Sequence, residues 1–292
     1  MPPTIRPVSH VARTVGSHPW LSGLLLTFVA VLGAASWYVW DELDVPTVDV
    51  QYVVPSAPRL RAADDSETVL RVHPGRSSVT YEVEEHLAGT TSTATGTTNG
   101  IAGDLVVDTD DPTRSHAGPI VVNVEQLHSD QELRDNRIRH DFLESTEHPL
   151  ATFEPGAIEG LPAELTEGDE VDVVIPGDLT VKEITAPVEL TGTATWADGE
   201  VHLLATTEVA LSTFDAGPIE LVGFVSTSDE VALTFDITFV DPTRVDIPTS
   251  VPAPGEDRGE DPVEVAAGGG PSFEADVMPV LAERCASCHG DG

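Results

Sequence analysis

The sequence predicts an all-β domain, a closed antiparallel barrel or a sandwich of about eight strands with one short helix, preceded by a single transmembrane helix. Apolar and polar residues alternate with period two through the middle of the chain, as in strands with one buried face. One stretch, 129–143, has the composition of a helix instead. Before the domain, residues 20–40 form a run of 21 residues without a charge.

The strands can be assigned in chain order from this alternation. The last one is the clearest, because five apolar residues share one of its faces: Val231, Leu233, Phe235, Ile237 and Phe239. Asp198-Gly199 predicts a tight turn between two neighbouring strands. Shorter runs predict the other strands, at 79–84, 91–98, 101–108, 120–125, 151–158, 171–181, 188–196 and 201–211.

The predicted helix covers Ser129–Leu143, which is rich in Gln, Glu, Leu and Arg. Ser129 has a residue type that favours the N-cap, and Glu132 follows three positions later. This spacing predicts a capping box, so the helix is expected to begin directly after Ser129.

Residues 20–40 predict a transmembrane helix, since a helix of this length spans the roughly 30 Å of bilayer hydrocarbon. Aromatic residues mark both interfaces: Trp20, Trp37, Tyr38 and Trp40. Arginines precede the run and acidic residues follow it. The positive-inside rule therefore predicts a single-pass protein of the cell membrane, with residues 1–19 in the cytoplasm and the main domains outside. The alternative is a cleaved signal peptide with Gly33-Ala34-Ala35 as its cleavage site.

Composition divides the rest of the chain into a domain and its linkers. Residues 41–71 and 241–270 hold prolines among charged residues, a composition that cannot bury a core, and they predict linkers. The ordered domain is expected at 72–240. Residues 271–292 form a separate C-terminal segment.

The charge balance narrows the possible partners. Of the 292 residues, 14 are Lys or Arg and 50 are Asp or Glu, which gives a net charge of −36. Such an acidic chain repels phosphate backbones, so nucleic-acid binding is excluded as a main function. Contact with a lipid must be mainly apolar. No motif of a catalytic nucleophile, a metalloprotease or a phosphate-binding loop is found, so the domain is expected to bind rather than to catalyse.

Three segments of the middle domain resemble the YceI-like family. They are HPGRSSVTYEVEEHLAG at 73–89, QELRDNRIRHDFLESTEHPLATFEP at 131–155 and GDLTVKEITAPVEL at 177–190. The resemblance implies a lipocalin-like antiparallel barrel whose apolar lumen holds a polyisoprenoid chain, including the tails of quinones. Ile138 stands where the family often has Leu, and the arginine that many members have near Ser212-Thr213-Phe214 is absent.

The side chains expected to line this lumen are apolar residues of the predicted strands. They are Tyr81, Val83, Leu105, Val107, Ile120, Val122, Phe153, Leu190, Leu203, Phe235 and Ile237. The alternative is that the same side chains fill a small barrel completely, as narrow eight-stranded barrels allow.

The C-terminal segment carries the spacing Cys-x-x-Cys-His in Cys285-Ala286-Ser287-Cys288-His289. This spacing predicts a covalent c-type haem, with thioethers from Cys285 and Cys288 and with His289 as the ligand of the haem iron. Residues 271–292 resemble the start of a cytochrome c domain of the planctomycete type, truncated after the motif. A thioredoxin-like pair and half of a zinc site are the alternatives, and both lack the rest of their motif.

These observations together predict an exported, membrane-tethered protein that binds a polyisoprenoid, with a quinone favoured, and that carries a c-type haem for electron transfer to a redox partner. The alternative is a non-redox lipid carrier of the cell envelope whose C-terminal motif is incidental. An enzyme that acts on lipid is a third possibility, for which the sequence offers no pair of nucleophile and base.

Overall fold

The computed structural model describes residues 49–87, 89–221 and 225–254. The predicted transmembrane run at 20–40 and the haem motif at 285–289 lie outside these residues. Among the residues described, no helix is both long enough and apolar enough to cross a membrane. The predicted mostly-β barrel with one short helix is confirmed for the middle of the chain.

The described residues form one antiparallel sheet of 13 strands. The strands are β1 (Glu67–Val72), β2 (Ser78–Leu87), β3 (Thr90–Thr98), β4 (Ile101–Ala102), β5 (Asp104–Asp108), β6 (His116–Ala117), β7 (Ile120–Asn123), β8 (Leu150–Pro155), β9 (Glu170–Val181), β10 (Ile184–Ala197), β11 (Glu200–Ala210), β12 (Glu220–Leu221) and β13 (Val225–Val240). The number exceeds the predicted eight mainly because three strands are only two residues long and because β1 lies in a predicted linker. The predicted strand at 101–108, for example, is divided into β4 and β5 at Gly103.

The sheet curls until its path returns to itself. Its order is β4-β7-β8-β9-β10-β11-β13-β1-β5-β6, and β2 and β3 extend from β13. The strand segments β4 and β5 are consecutive in the chain, yet β4 pairs with β7 while β5 pairs with β1. The chain from 101 to 108 therefore links the two sides of the sheet and encloses an interior.

The alternation predicted for the last strand decides which residues face this interior. Every second residue of β13 from Val231 to Phe239 is apolar, and four of these five are buried, with Leu233 half-buried. The Asp198-Gly199 turn is present between β10 and β11, with φ of 55° and 77° at its two residues. Positive φ at both positions is typical of the tight turns that join twisted strands, and Gly199 adopts it without strain.

The helix is shorter than predicted and begins later. α1 covers Glu132–Arg137 and continues as a wider π-helical turn over Ile138–Phe142. Gln131 occupies the N-cap, so the predicted capping box from Ser129 is wrong. The physical reason is a competing partner, because the backbone N–H and the hydroxyl of Ser129 donate to the Asp135 carboxylate at 2.9 and 2.7 Å.

The ordered part of the chain extends beyond both predicted boundaries of the domain. Strand β1 begins at Glu67, inside the predicted linker 41–71, and pairs with β5 and β13. The segment before it lies against the barrel, where the Gln126 amide donates to two of its carbonyls at 2.8 and 2.7 Å. The same segment also contacts the chain that follows the barrel, since the Val54 N–H donates to the carbonyl of Thr249. Hydrogen bonds from side chains and from the backbone thus hold segments whose composition alone predicts linkers.

A buried carboxylate fastens the segment before β1. Asp104 is fully buried, and its oxygens accept from Arg71 Nε at 2.9 Å, from the Leu60 N–H at 3.0 Å and from Arg59 Nη1 at 3.2 Å. Three donors from two segments therefore converge on one side chain of β5, and they satisfy a charge that burial would otherwise disfavour.

Replacing Asp104 by Ala should lower the free energy of unfolding by about 2 kcal/mol, because it removes charge-assisted hydrogen bonds and leaves the Leu60 N–H unpaired. Urea unfolding of the full chain, followed by circular dichroism, measures this loss. Asp236→Ala is the matched control, since it removes an exposed carboxylate that faces His202. We expect the control to change stability by less than about 0.5 kcal/mol. Equal losses in the two variants would contradict the role of Asp104.

Candidate functional site: two apolar chambers inside the barrel

Among the residues that the structure describes, two cavities lie in the interior of the barrel, and we call them the first and the second chamber. The first has a volume of about 160 Å³. The second has a volume of about 220 Å³. The predicted lumen is therefore neither a single continuous tunnel nor completely filled by side chains.

The first chamber lies at the end of the barrel next to the helix. Its walls come from six strands, with Val79, Tyr81, Val83, Val122, Ala151, Phe153, Leu179, Val181, Val209, Val231, Leu233 and Phe235. Residues of the helical segment and of the loop after β11 complete the lining at this end, and we call them the mouth of the chamber: Ile138, Phe142, Leu143, Leu211, Phe214 and Ile219. All of these side chains are apolar apart from the hydroxyl of Tyr81.

The second chamber lies at the opposite end of β9 and β13. Apolar residues of both strands line it, together with the ring of Trp196 and a few polar side chains, which are Ser115, Glu164, Thr166, Asp169 and Thr195. The loop 156–169 covers this end with three apolar residues, Ile158, Leu161 and Leu165. Backbone hydrogen bonds hold the loop, including Gly156 N–H to Pro176 O at 2.7 Å and Gly168 N–H to Trp196 O at 2.8 Å.

A layer of buried residues separates the two chambers. Strands β9 and β13 line both chambers, and on each of them one inward position lines neither: Gly177 on β9 and Ile237 on β13. The ring of Phe153 fills the space over Gly177, where an added Cβ would lie 2.6 Å from the ring atoms. The centroids of Phe153 and Phe235 are 6.4 Å apart, with the rings tilted by 44°. We call Phe153, Phe235 and Ile237 the partition.

The eleven residues predicted to line a lumen are all buried, but they do not line one space. The first chamber receives Tyr81, Val83, Val122, Phe153 and Phe235. The second chamber receives Leu105, Val107 and Leu203. Ile120, Leu190 and Ile237 line neither chamber and are buried in the surrounding core. The contact of these residues with a lipid stays a prediction.

The Tyr81 hydroxyl is the one polar group among the side chains that line the first chamber. It is buried and has no hydrogen-bond partner among the described residues. Burial raises the pKa of the Tyr81 phenol, and the nearby Asp135 carboxylate raises this pKa further. The phenol therefore stays neutral near pH 7 and retains a proton that it can donate.

Lys182 connects the two sides of the first chamber's mouth. Its Nζ donates to Glu144 Oε1 at 2.6 Å, just after the helical segment, and to the Asp215 carbonyl at 2.8 Å, in the loop after β11. The Lys182 side chain is 8% exposed, and it is the only lysine of the chain. Its hydrogen bond and charge lower the pKa of the Glu144 carboxyl. We call this arrangement the Lys182 clasp.

Sequence reasoning missed the residues that close the ends of the barrel. Ile138 and Phe142 at the mouth of the first chamber are spaced by four in the predicted helix, so helical periodicity could have identified them. The loop 156–169 shows no period, although its apolar residues stand out in a stretch otherwise rich in Gly, Pro and Glu. Only the folded chain shows that this loop covers the second chamber.

Possible ligands for a metal or a cofactor occur in two groups. The first group is the predicted haem site, Cys285, Cys288 and His289, which lies outside the described residues. Among the described residues, ligand atoms of Glu144, Glu147 and His148 lie within 4.8 Å of one another. Glu144 is already paired with Lys182, and we assign no metal to this group.

Comparison with solved structures gives several matches of low sequence identity. Among solved structures, Burkholderia cenocepacia BcnA is 19% identical, with a TM-score of 0.46 over 57% of this chain and 98% of that chain. A polyisoprenoid binding domain from Saccharophagus degradans, implicated in plant cell wall breakdown, is 11% identical, with a TM-score of 0.46 over 59% and 98%. Campylobacter jejuni YCEI protein is 16% identical, with a TM-score of 0.37 over 47% and 79%.

The comparison with curated proteins gave no match. The family model of the YceI-like domain matches residues 70–239, close to the predicted domain at 72–240 and more than half of the chain. The chain therefore belongs to the YceI-like family.

Proposed function

We propose that the barrel binds a polyisoprenoid lipid, with a quinone as the favoured ligand, by taking part of its apolar chain into the first chamber. The observation that carries this proposal is the lining of that chamber, which is apolar apart from one hydroxyl. Membership of the YceI-like family supports the same class of ligand. We infer binding rather than catalysis, because hydrocarbon walls can hold a chain but offer no nucleophile or base.

The physical gain comes from removing the chain from water. Each buried CH₂ group contributes about 0.8 kcal/mol, so a few methylenes provide useful affinity without any polar contact.

Replacing Phe235 by Asp should remove most of the bound lipid and lower the free energy of unfolding by at least about 3 kcal/mol, because an unpaired carboxylate would face the apolar chamber. Solvent extraction of the purified full chain, followed by mass spectrometry, measures the lipid. Leu204→Asp is the matched control, since Leu204 is 44% exposed on the outer face of β11. The proposal would be contradicted if the extract of the unmodified chain contained no isoprenoid, or if Phe235→Asp kept its full lipid content.

We further propose that the ligand passes through the mouth of the first chamber and that the Lys182 clasp slows its release. The clasp joins the two segments that form this mouth. The pKa of Glu144 is lowered in the folded chain, mainly by the hydrogen bond from Lys182. The pairing is therefore complete above the ordinary Glu pKa of 4.5 and is lost as the pH falls through the lowered value.

Lys182→Met should release ligand up to about fivefold faster at pH 7, since an ion pair with one half-exposed partner contributes up to about 1 kcal/mol. In the unmodified chain, release should accelerate as the pH falls below 4.5. Glu144→Gln should show a faster rate that no longer depends on pH in this window. The rates can be measured by transfer of a labelled prenyl alcohol to excess vesicles. Identical rates in the three proteins at every pH would refute the role of the clasp.

The finer parts of the function rest on sequence alone. We propose that residues 20–40 tether the barrel to the outer side of the cell membrane and that Cys285, Cys288 and His289 attach a c-type haem. A quinone in the barrel and a haem on the same chain would support electron transfer to a redox partner. The second candidate function is a non-redox lipid carrier, which the apolar chambers alone would support.

Expressed with a haem-maturation system, the full-length protein should carry covalent haem in carbonate-washed membranes. The stain for haem should survive denaturing electrophoresis and disappear in the Cys285→Ala/Cys288→Ala variant, because both thioether bonds are then lost. The variant's lipid content should stay unchanged, which separates this prediction from the lipid-binding proposal. A washed membrane fraction with the protein but without covalent haem would favour the non-redox carrier.

A further inference from the structure

The division of the interior has a direct effect on what can be bound. Pockets for drug-sized ligands commonly measure roughly 300–1,000 Å³. The first chamber measures about 160 Å³. The second measures about 220 Å³. Each is below this range, and only their union would reach its lower end, so the residues between them decide how long a chain can be buried.

The partition is built to stay closed. Ile237 is 1% exposed, and Phe153 and Phe235 are 2% and 3% exposed, so all three side chains are closely packed. The Phe153 ring packs directly against Gly177, in the space that a Cβ would otherwise occupy. A chain that crossed to the second chamber would have to displace at least one of these side chains from close packing.

We propose that the partition sets the length of chain that this protein binds, so that a prenyl chain enters the first chamber and stops at Phe153, Phe235 and Ile237. This inference rests on the proposed function of the first chamber and adds a limit to its substrate. The ligand class is an isoprenoid with a short buried part, whose remaining chain stays outside the barrel. The second chamber is not occupied by that chain.

Trp196 provides an internal reporter of the second chamber, because its ring lines that chamber and not the first. The test titrates the lipid-free full chain with linear prenyl alcohols of two, three and four isoprene units. The dissociation constant into water is obtained from equilibrium transfer from vesicles, corrected for the vesicle–water partition of each alcohol, and the Trp196 emission is obtained by subtracting the emission of the Trp196→Phe variant. In a continuous lumen each further buried methylene would strengthen binding about fourfold.

For the unmodified chain, we expect the three affinities to agree within about threefold and the Trp196 emission to stay constant. Ile237→Ala should open the partition, so that the four-unit alcohol binds at least about tenfold tighter than the two-unit alcohol and changes the Trp196 emission. Phe235→Leu removes less volume from the same layer and should have the same effect on affinity to a smaller extent. Val240→Ala is the matched control, since Val240 is fully buried on the same strand but alternates to its other face.

The outcomes separate the two proposals. If none of the three alcohols binds the unmodified chain, the proposed function of the chamber is wrong. If all bind but affinity in the unmodified chain rises about fourfold per methylene, or the Trp196 emission changes, the partition does not limit chain length. This length series decides the question even if Ile237→Ala fails to fold.

Discussion

The register of β13 is the constraint on which the rest of the barrel depends. This strand of 16 residues pairs with β1, β2, β11 and β12. Its pairing positions Phe235 opposite Ala205 on β11 and opposite Val79 on β2. Because side chains alternate between the faces of a strand, a slip of one residue would turn Phe235 and Ile237 outward and remove both the chamber wall and the partition.

Sequence periodicity predicts the features that depend on which face of a strand a side chain occupies. It identified the inward face of β13, the turn at Asp198-Gly199 and the buried position of every proposed lining residue. It could not show that Phe153 from β8 meets Phe235 from β13, because 82 positions of sequence separate them and their contact depends on the closed path of the sheet. Sequence periodicity alone therefore predicts one undivided lumen, whereas the folded chain has two chambers.

Composition does not show that the segments next to the domain are also held in place, for a related reason. Prolines and charges before Glu67 indicate a linker when the segment is considered alone. In the folded chain, the Gln126 amide and the Asp104 carboxylate supply the hydrogen bonds that this segment lacks internally. Likewise, Ser129 meets the local rule for an N-cap, but the Asp135 carboxylate holds it by a stronger, charge-assisted contact. In each case, a specific side-chain partner outweighs the structure that the local sequence predicts.

The charge of the chain and the ion pairs close to the first chamber both disfavour an anionic headgroup on the ligand. With a net charge of −36, the protein repels anions at long range. Arg134, whose charge acts on Tyr81, is paired with Glu85 and Asp130, and Lys182 is paired with Glu144. These cations are therefore already neutralised by the protein's own carboxylates. A diphosphate headgroup would gain little attraction there, whereas the neutral carbonyls of a quinone avoid the repulsion, which supports a quinone over a charged isoprenoid as the proposed ligand.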